Sequence, residues 1–469
     1  MLGGYANCGD AQPTARTTIV GTGSGSVVAL DSVSGLRSVI LRDLVIEGGA
    51  TGGDGGGMHI GSTMAVRLDD TWVRGDDANH GGGIFIGGSG TDRPGLSLTN
   101  HSVIGTSGQP NSANDGGGIY CQGADVELAG PLIEGNIAGG NGGGLYLDDC
   151  TLASTGTPDL RNTMTSNSAS LGAAIYATNG SSIDFGLAGG RTDIFRNTAD
   201  AAGGGIYLSG IGTRAVLAAS TLRSNDVDNN GSGGAVYVTA GARFDLDRGD
   251  RDEVCTVAPC SAMTGNMAAR GSTAAIVGGG NVSIRRSEIV GPIDPGAQNA
   301  FYAAQSGSVI NLDGVLMDRV PGFAGIWLEN AAAAFINNLT MAGNDLSADF
   351  LLATADTQIG IADSIVWDAP AVAIAGSGSV FNTDNVSHDP ATLPGLNLDP
   401  GFVDAASHDY HLRGDSPNVD AYAINPDTPA TDIDGEPRPF DLAVDNGGTY
   451  DRGAYELGDE IFADGLEGE

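Results

Sequence analysis

Short runs of alternating apolar and polar residues recur along the chain, and each follows a cluster of small residues. In Ile206-Tyr207-Leu208 the two aliphatic side chains share one face of an extended strand, and the tyrosine takes the other face. Seven segments share this arrangement at intervals of 26 to 35 residues: Gly55–Ile60, Gly81–Ile86, Gly116–Cys121, Gly142–Leu147, Gly172–Ala177, Gly203–Leu208 and Gly233–Val238. Such regular spacing is typical of a repeat protein.

A second element keeps step with the first and consists of an apolar residue, two variable residues and an asparagine. It occurs at Ile133–Asn136, Met164–Asn167, Ile194–Asn197, Leu222–Asn225 and Met263–Asn266. Another short alternating run, such as Ala215–Leu217, lies between the two elements, so each repeat holds about three short strands and no helical period. The sequence therefore predicts an all-β fold, a single-stranded right-handed parallel β-helix of roughly a dozen coils.

The residues of the repeat have expected places in such a coil. We expect Ile206 and Leu208 to face the core, because apolar side chains that alternate along a strand share one face. Each repeated asparagine is expected at a bend, where it stacks on the asparagine of the next coil and satisfies turn amides. The glycines allow the chain to turn sharply with positive φ.

The repeat pattern is regular up to Asn266 and weaker beyond it. Alternation continues to about Val380, after which the composition becomes rich in Asp and Pro. The predicted divisions are an N-terminal cap with the first coil (1–40), the β-helix (41–385), a C-terminal cap segment (386–456) and an acidic flexible tail (457–469).

The charge of the chain disfavours several classes of partner. Fifty-seven acidic residues against 21 basic ones give a net charge of −36, which argues against nucleic acid and anionic membrane surfaces. Every basic residue is an arginine, so no lysine is available as a Schiff base or general base. No stretch is long and apolar enough for a transmembrane segment. We expect a monomer.

Five cysteines are too few for a disulfide-built fold, and their odd number leaves at least one unpaired. Cys255 and Cys260 bracket a short insert, and a local disulfide between them is predicted, which favours an oxidising compartment. The alternative is that both are small apolar residues. The pairing of the other three cysteines stays open. Residues 1–5 show neither a basic leader nor an apolar run, so either the chain is cytoplasmic or it starts within a longer precursor, and we prefer the second.

The two repeated elements carry a family resemblance. Gly233-Gly234-Ala235-Val236 and the five apolar-x-x-Asn segments resemble the paired repeats of polymorphic outer-membrane proteins and other bacterial right-handed β-helix repeat proteins. The resemblance spans roughly residues 40 to 280. It implies a fold and no particular activity.

The C-terminal part carries a second resemblance, to the choice-of-anchor segment that closes many secreted β-helix proteins. The residues that carry it are Asp399–Phe402, Asp409–Leu412, Ser416–Pro417, Asp432–Pro439 and Asp451–Glu456. This resemblance implies secretion or display on the outer surface of a bacterial cell.

In six of the repeats the small residues are followed by one aliphatic residue and then by one aromatic residue. If the aliphatic neighbours face inward, these rings stack along the outside of the helix and offer a binding surface for an extracellular glycan or a surface protein. The candidate ligand-binding residues are Phe85, Tyr120, Tyr146, Tyr176, Tyr207 and Tyr237. The alternative is that the stacked rings only stabilise the coils.

Polysaccharide cleavage is the main alternative function, because many β-helices are polysaccharide lyases or hydrolases. The acidic groups that invite this interpretation are Asp69-Asp70, Asp76-Asp77, Asp148-Asp149 and Asn382-Thr383-Asp384. The Gly-His-Gly and Arg-Ile-Lys motifs of the hydrolases do not accompany them, and Asp is common at turns in any case. We therefore assign no catalytic residues. Carboxylates clustered with an arginine in one exposed groove would favour an enzyme.

No metal or cofactor is predicted. His408 and His411 are close in sequence, but packed or turn histidines are the preferred interpretation. Asp432-Ile433-Asp434-Gly435 resembles the start of a calcium loop, yet the further acidic ligands are missing, so a tight turn pinned by Asp is preferred. Calcium remains possible without a specific motif. The sequence thus favours a secreted or cell-surface, non-catalytic scaffold for adhesion or for glycan or protein binding, ahead of an enzyme and of a structural envelope component.

Overall fold

The computed structural model describes residues 1–3, 15–32, 35–88, 93–155, 157, 160–186, 190–228, 230–249, 260–291, 299–354, 356–367, 380–389, 397–422, 428–439 and 450–457. The chain divides into two compact units, Met1–Phe244 and Asp245–Glu469, and the division falls inside the strand Arg243–Asp247. Both units are built from parallel strands wound as a right-handed β-helix with three main sheets, and the predicted fold class is confirmed.

In unit 1 the coils pass in turn through the three main sheets, which we name A to C, and six of them also pass through a fourth sheet, D. Sheet A consists of Val28–Leu30, Met58–Ile60, Ile84–Gly87, Ile119–Gln122, Leu145–Asp148, Ile175–Thr178, Ile206–Ser209 and Val236–Thr239. Sheet B consists of Arg37–Arg42, Met64–Asp69, Gly95–Thr99, Asp125–Ala129, Thr151–Ser154, Ser182–Phe185 and Arg214–Ala218. Sheet C consists of Thr17–Val20, Leu44–Glu47, Trp72–Arg74, Val103–Ile104, Leu132–Glu134, Asn162–Thr165, Thr192–Phe195 and Ser220–Arg223. Sheet D is shorter and consists of Asp77–His80, Ser112–Asp115, Ile137–Ala138, Ser168–Leu171, Thr198–Ala202 and Asp226–Val227.

Unit 2 contains the same three main sheets. Sheet A consists of Ala274–Val277, Asn299–Ala304, Pro321–Glu329 and Asp345–Ala353. Sheet B consists of Asn281–Arg285, Val309–Asp313, Ala333–Asn337, Gln358–Ala362 and Val380–Asp384. Sheet C consists of Ala262–Thr264, Glu288–Val290, Leu316–Asp318, Thr340–Ala342, Ile365–Val366 and Ser387–His388. A hairpin of Phe402–Asp404 and Asp409–Leu412, joined by the 3₁₀ turn Ala405–Ser407, follows.

The alternating pattern places the aliphatic residues as expected. Ile206 and Leu208 are fully buried, whereas Tyr207 between them is half-buried on the outer face. The first glycine of each of the seven repeats has φ between +61° and +76°, which side chains with a Cβ rarely adopt. A Cβ on Gly142, for example, would lie 2.4 Å from the Leu145 carbonyl oxygen, so this turn requires glycine.

The repeated asparagines form a buried ladder at the bend between sheets C and D of unit 1. The Nδ2 of Asn136 donates to Oδ1 of Asn167 at 2.9 Å, and that of Asn167 donates to Oδ1 of Asn197 at 3.0 Å. The same contact joins Asn197 to Asn225 at 2.9 Å. Each of these Oδ1 atoms also accepts the backbone N–H of the preceding asparagine, so the predicted stacking and the satisfaction of turn amides are confirmed.

Two members of the ladder were not predicted from the repeat pattern. Asn111 donates to Asn136 Oδ1 at 3.0 Å, and Asp76 precedes it, with its backbone N–H donating to Asn111 Oδ1 at 3.2 Å. Asp76 accepts the Gly49 N–H through Oδ1 at 2.7 Å, whereas its buried Oδ2 has no hydrogen-bond partner among the residues that the structure describes. Burial raises the pKa of Asp76 to about 8.

Asp76→Asn is expected to stabilise the protein, and the gain should increase with pH. The carboxyl of Asp76 ionises near pH 3.8 in the unfolded chain and near 8 in the folded one, so stability falls as pH rises between these values. An amide removes this loss and supplies the donor that the ladder uses at Asn111, for a gain of about 2 kcal/mol at pH 8 and much less near pH 4. Urea unfolding at both pH values measures the difference. An equal gain at both would contradict the expected ionisation.

The described residues from 397 onward pack along the outer side of sheet C in unit 2. Phe402, Tyr410 and Ile433 bury their side chains against Leu316 and Ile365 of that sheet. The Tyr410 hydroxyl donates to Asp318 Oδ1 at 2.9 Å. The segment therefore covers an apolar stripe that sheet C would otherwise expose.

Asp432 organises a tight turn in this segment. Its Oδ1 accepts the backbone N–H groups of Asp434, Gly435 and Glu436 at 2.8 to 2.9 Å, and its Oδ2 accepts that of Glu456 at 2.9 Å. The carboxylate is thus engaged by backbone donors, as the preferred interpretation of this sequence expects.

No helix among the described residues is long and apolar enough to cross a membrane.

Candidate functional site

The aromatic residues of sheet A in unit 1 form a continuous stack, which we call the tyrosine column. Strand pairing places each ring directly beside the ring of the next coil. Neighbouring ring centroids are 4.6 to 5.7 Å apart, with interplanar angles of 5° to 18°. His59 adds a seventh ring, stacked on Phe85 at 5.0 Å. The column members predicted from the sequence are Phe85, Tyr120, Tyr146, Tyr176, Tyr207 and Tyr237.

The stacking determines which parts of the rings a ligand could reach. Because the rings are nearly parallel and face one another along the column, the inner rings are covered on both faces by their neighbours. Phe85 is buried, and the five tyrosines are half-buried. The accessible parts are therefore ring edges and hydroxyl groups. A ligand that needs a free aromatic face finds none along the middle of the column.

Carboxylates border the middle of the tyrosine column. Asp115 ends a strand of sheet D just before the glycine turn, and Asp148 ends the sheet A strand that carries Tyr146. Burial, with the charges of Asp148 and Asp115 added to it, raises the pKa of Tyr120 to about 12. Burial and neighbouring groups also raise the pKa of Tyr146 and Tyr176. The phenol groups are consequently neutral hydrogen-bond donors at physiological pH, beside carboxylate acceptors.

At the N-terminal end of the column a histidine contacts a carboxylate. His80 Nδ1 lies 2.8 Å from Asp54 Oδ1, and the imidazole ring of His80 lies 4.9 Å from the ring of Tyr120. Asp54, His80 and Asp115 occupy matching positions in three successive coils. Polar groups therefore line one side of the column over these coils.

A groove of about 340 Å³ lies on the outer face of sheet B in unit 1. The residues that line it are Leu36, Ser38, Ala65, Val66, Arg67, Arg93, Gly95, Leu96, Ser97, Asp125 and Glu127. Small residues at Ala65, Gly95 and Ser97 leave the depression between longer side chains. Two arginines and two carboxylates thus share one exposed groove, a combination that no sequence motif indicated.

The polar and charged side chains of this groove differ in the number of hydrogen bonds and ion pairs that they make. Arg93 is held by Asp125 at 3.1 Å and by Asp149 at 3.4 Å. Ser97 pairs in register with Arg67 on one side and Glu127 on the other. Neither Ser97 nor Glu127 makes a side-chain hydrogen bond or ion pair within the described part of the chain. These two side chains are available to a ligand.

The acidic pairs noted in the sequence do not come together. Asp69 is paired with Arg42, and Asp76 belongs to the asparagine ladder. Asp148 accepts from Gln122 and Asn179 near the tyrosine column, and Asp149 contacts Arg93. Among the described residues, no group of three or more His, Cys, Asp or Glu side chains is arranged to hold a metal ion.

The histidine pair of the C-terminal segment has structural partners. His411 bridges Asp409 and Asp434, with Nδ1 and Nε2 at 2.6 and 2.8 Å from the carboxylate oxygens. Hydrogen bonding to Asp434, together with Asp409, raises the pKa of His411 to about 9. His408 contacts Asp318 at 3.0 Å. Both rings therefore contact carboxylates.

One disulfide joins Cys121 to Cys150, a pairing that the sequence left open. Cys121 follows Tyr120 on sheet A, and Cys150 lies in the turn after the next sheet A strand, so the bond links adjacent coils beside the tyrosine column. Cys260 is disulfide-bonded, and Cys255 lies outside the described residues, so the predicted pairing of these two cysteines stays a prediction.

Comparisons with known proteins add a fold likeness. The sequence matches no protein-family model and no curated protein. The crystal structure of pectate lyase Pel9A superimposes with a TM-score of 0.40 and 13% sequence identity, covering 85% of this chain and 89% of that chain. At this level the likeness carries no inference about activity.

Proposed function

We propose that the chain is an extracellular or surface-displayed, non-catalytic β-helix scaffold that binds a glycan along the tyrosine column. The observation that supports this proposal is the unbroken stack of rings whose outer edges remain half-exposed beside carboxylates. The phenol hydroxyls recur from coil to coil as neutral donors, and Asp115 and Asp148 add carboxylate acceptors beside the middle of this row. A polymer with regularly spaced hydroxyl groups, lying parallel to the column, matches such a row.

The charge of the protein narrows the class of glycan. A net charge of −36 and the carboxylates beside the column repel polyanions, whereas neutral sugar hydroxyls donate readily to carboxylates. The resemblance of the C-terminal segment to choice-of-anchor segments supports display outside the cell. We propose a monomer with no nucleic-acid partner and no required cofactor.

Replacing Tyr146 and Tyr176 by phenylalanine tests this proposal, because it removes two hydroxyls and keeps the ring stack. We expect glycan affinity to fall about tenfold while the unfolding midpoint stays nearly unchanged. Changing both residues to alanine should lower affinity and also destabilise the protein by about 2 kcal/mol or more, since stacking and ring burial are lost. A glycan array, followed by titration of any ligand found, measures the affinity.

The same experiment distinguishes hydroxyl-mediated binding from a purely stabilising stack. Tyr302 lies on a sheet A strand of unit 2, and its hydroxyl donates to Glu329 at 2.8 Å, so its change to phenylalanine serves as the matched control. Binding that survives both tyrosine-to-phenylalanine changes at positions 146 and 176 would assign the column a structural role only.

Cleavage of a polysaccharide is the second candidate function, and the groove on sheet B favours it. Glu127 faces this groove and has no side-chain partner among the described residues, and Asp125 and two arginines accompany it. Carboxylates placed in this way serve as acid, base or nucleophile in glycoside cleavage. Array glycans should therefore also be examined by mass, with and without calcium. Cleavage products would show that the protein is an enzyme and not a binding scaffold. If the protein neither bound nor cleaved any glycan, the result would favour a structural envelope component.

A further inference from the structure

Phe335 presents an aromatic ring on the outer face of sheet B in unit 2. It lies at the centre of the strand Ala333–Asn337 and is 46% exposed. In register with it are Asn311 on one neighbouring strand and Gly360 on the other. No ring stacks on Phe335 within the described residues, in contrast to the mutually covered rings of the tyrosine column.

The small residue at Gly360 keeps one side of the Phe335 ring open. A Cβ added there would meet Phe335 Cδ1 at 3.5 Å and no other atom within 4 Å. Any longer side chain at position 360 would therefore stand beside the ring. The backbone at Gly360 needs no positive φ, so glycine is not required there by the conformation of the strand.

Two depressions flank the Phe335 ring. The first, of about 330 Å³, is lined by Ser306, Gly307, Ser308, Val309, Ala331, Ala333, Phe335, Asp356 and Gln358. The second, of about 220 Å³, is lined by Phe335, Ile336, Asn337, Gly360, Ile361, Ala362, Thr383 and Asp384. Each combines the aromatic wall with one carboxylate, one amide and at least one hydroxyl group.

Three polar side chains of the depressions are open to a ligand. Gln358, Asn337 and Asp384 make no side-chain hydrogen bond or ion pair within the part of the chain that the structure describes. Asp356 and Gln358 are exposed. Polar groups that converge on an apolar wall are typical of small-ligand sites, where the wall supplies contact area and the polar groups fix orientation.

We propose that Phe335 and its two flanking depressions form a carbohydrate-binding site that takes adjacent units of a neutral oligosaccharide. A sugar ring has an apolar C–H face that packs on an aromatic face, and hydroxyls at its edge that bond to carboxylates and amides. Asp356 and Asp384, one in each depression, disfavour an anionic sugar. The proposal shares its ligand class with the function proposed above, but it does not depend on the tyrosine column.

The test uses the full chain and soluble oligosaccharides of glucan, xylan, mannan and galactan, with oligogalacturonate as the acidic comparison. We expect at least one neutral oligosaccharide to bind, and Phe335→Ala to weaken its binding about tenfold in calorimetric titration. Phe335→Trp should preserve binding, because it keeps an aromatic face. Phe323→Ala is the matched control, since Phe323 is equally exposed at 45% but lies on sheet A beside Trp327.

Gly360→Val provides a second variant that leaves the aromatic ring in place. A β-branched residue suits the strand, so folding should be unaffected, while its side chain fills the second depression and weakens binding about tenfold or more. The proposal is overturned if no neutral oligosaccharide binds, or if Phe335→Ala and Gly360→Val bind as the unaltered protein does. If the Tyr146 and Tyr176 variants lose binding and Phe335→Ala binds normally, the result supports the tyrosine column and rejects this site. If Phe335→Ala loses binding and the tyrosine variants bind normally, the result supports this site and rejects the column.

Discussion

Replacing Asn167 by alanine is expected to destabilise the protein by about 4 kcal/mol, because the asparagine ladder loses a buried central member. The side chain of Asn167 donates to Ile133 O at 3.1 Å and to Asn197 Oδ1, and accepts both the backbone N–H and the Nδ2 of Asn136. Alanine leaves the Asn136 N–H and the Ile133 carbonyl without these partners in a site closed to water. Urea unfolding measures the change in free energy.

Asn114→Ala is the matched control for the ladder. Asn114 also makes an amide-to-amide hydrogen bond across coils, to Asn79, but it is exposed on sheet D. Water replaces the lost bond there, so the expected change is within about 0.5 kcal/mol. If both substitutions destabilised the protein equally, burial of the ladder would not be the source of its stability.

The ladder shows how far the repeat pattern predicts the fold. Asn136, Asn167, Asn197 and Asn225 were predicted because the apolar residue three positions earlier marks the preceding strand. Asn111 escaped the pattern because glycine stands at position 108, and Asp76 escaped it because an acid takes the place of the amide. Local spacing therefore identifies a regular coil and misses those coils whose turns differ in length or composition.

The sequence predicted less of the candidate sites than of the fold. Strand alternation predicted the members of the tyrosine column, yet ring orientation decides which surfaces are accessible, and it depends on side-chain torsions that no spacing specifies. The groove beside Glu127 and the depressions beside Phe335 combine residues from three or more coils. Their neighbours depend on register between coils, which loops of unequal length set, so the sequence alone did not bring them together.

We expect the Cys121–Cys150 disulfide to make a second large contribution to stability. It closes a loop with a sequence separation of 29 residues, for which chain entropy gives a stabilisation of about 3 to 4 kcal/mol. Changing both cysteines to alanine should lower the free energy of unfolding by about this amount. Alanine suits both positions, because Cys121 and Cys150 are buried among apolar residues.

Unfolding in reductant separates the effect of this disulfide on stability from the effect of the disulfide that Cys260 makes. Because Cys260 is also disulfide-bonded, reductant acts on the unaltered protein at two places and on the double variant at one. We therefore expect the stability difference between the two proteins to shrink to about 1 kcal/mol once both are reduced. A difference that persists in reductant would instead assign the loss to packing around the two cysteines. Since Cys121 adjoins Tyr120, and Cys150 follows the strand of Tyr146, glycan affinity measured on the double variant also shows whether the column needs this link between coils.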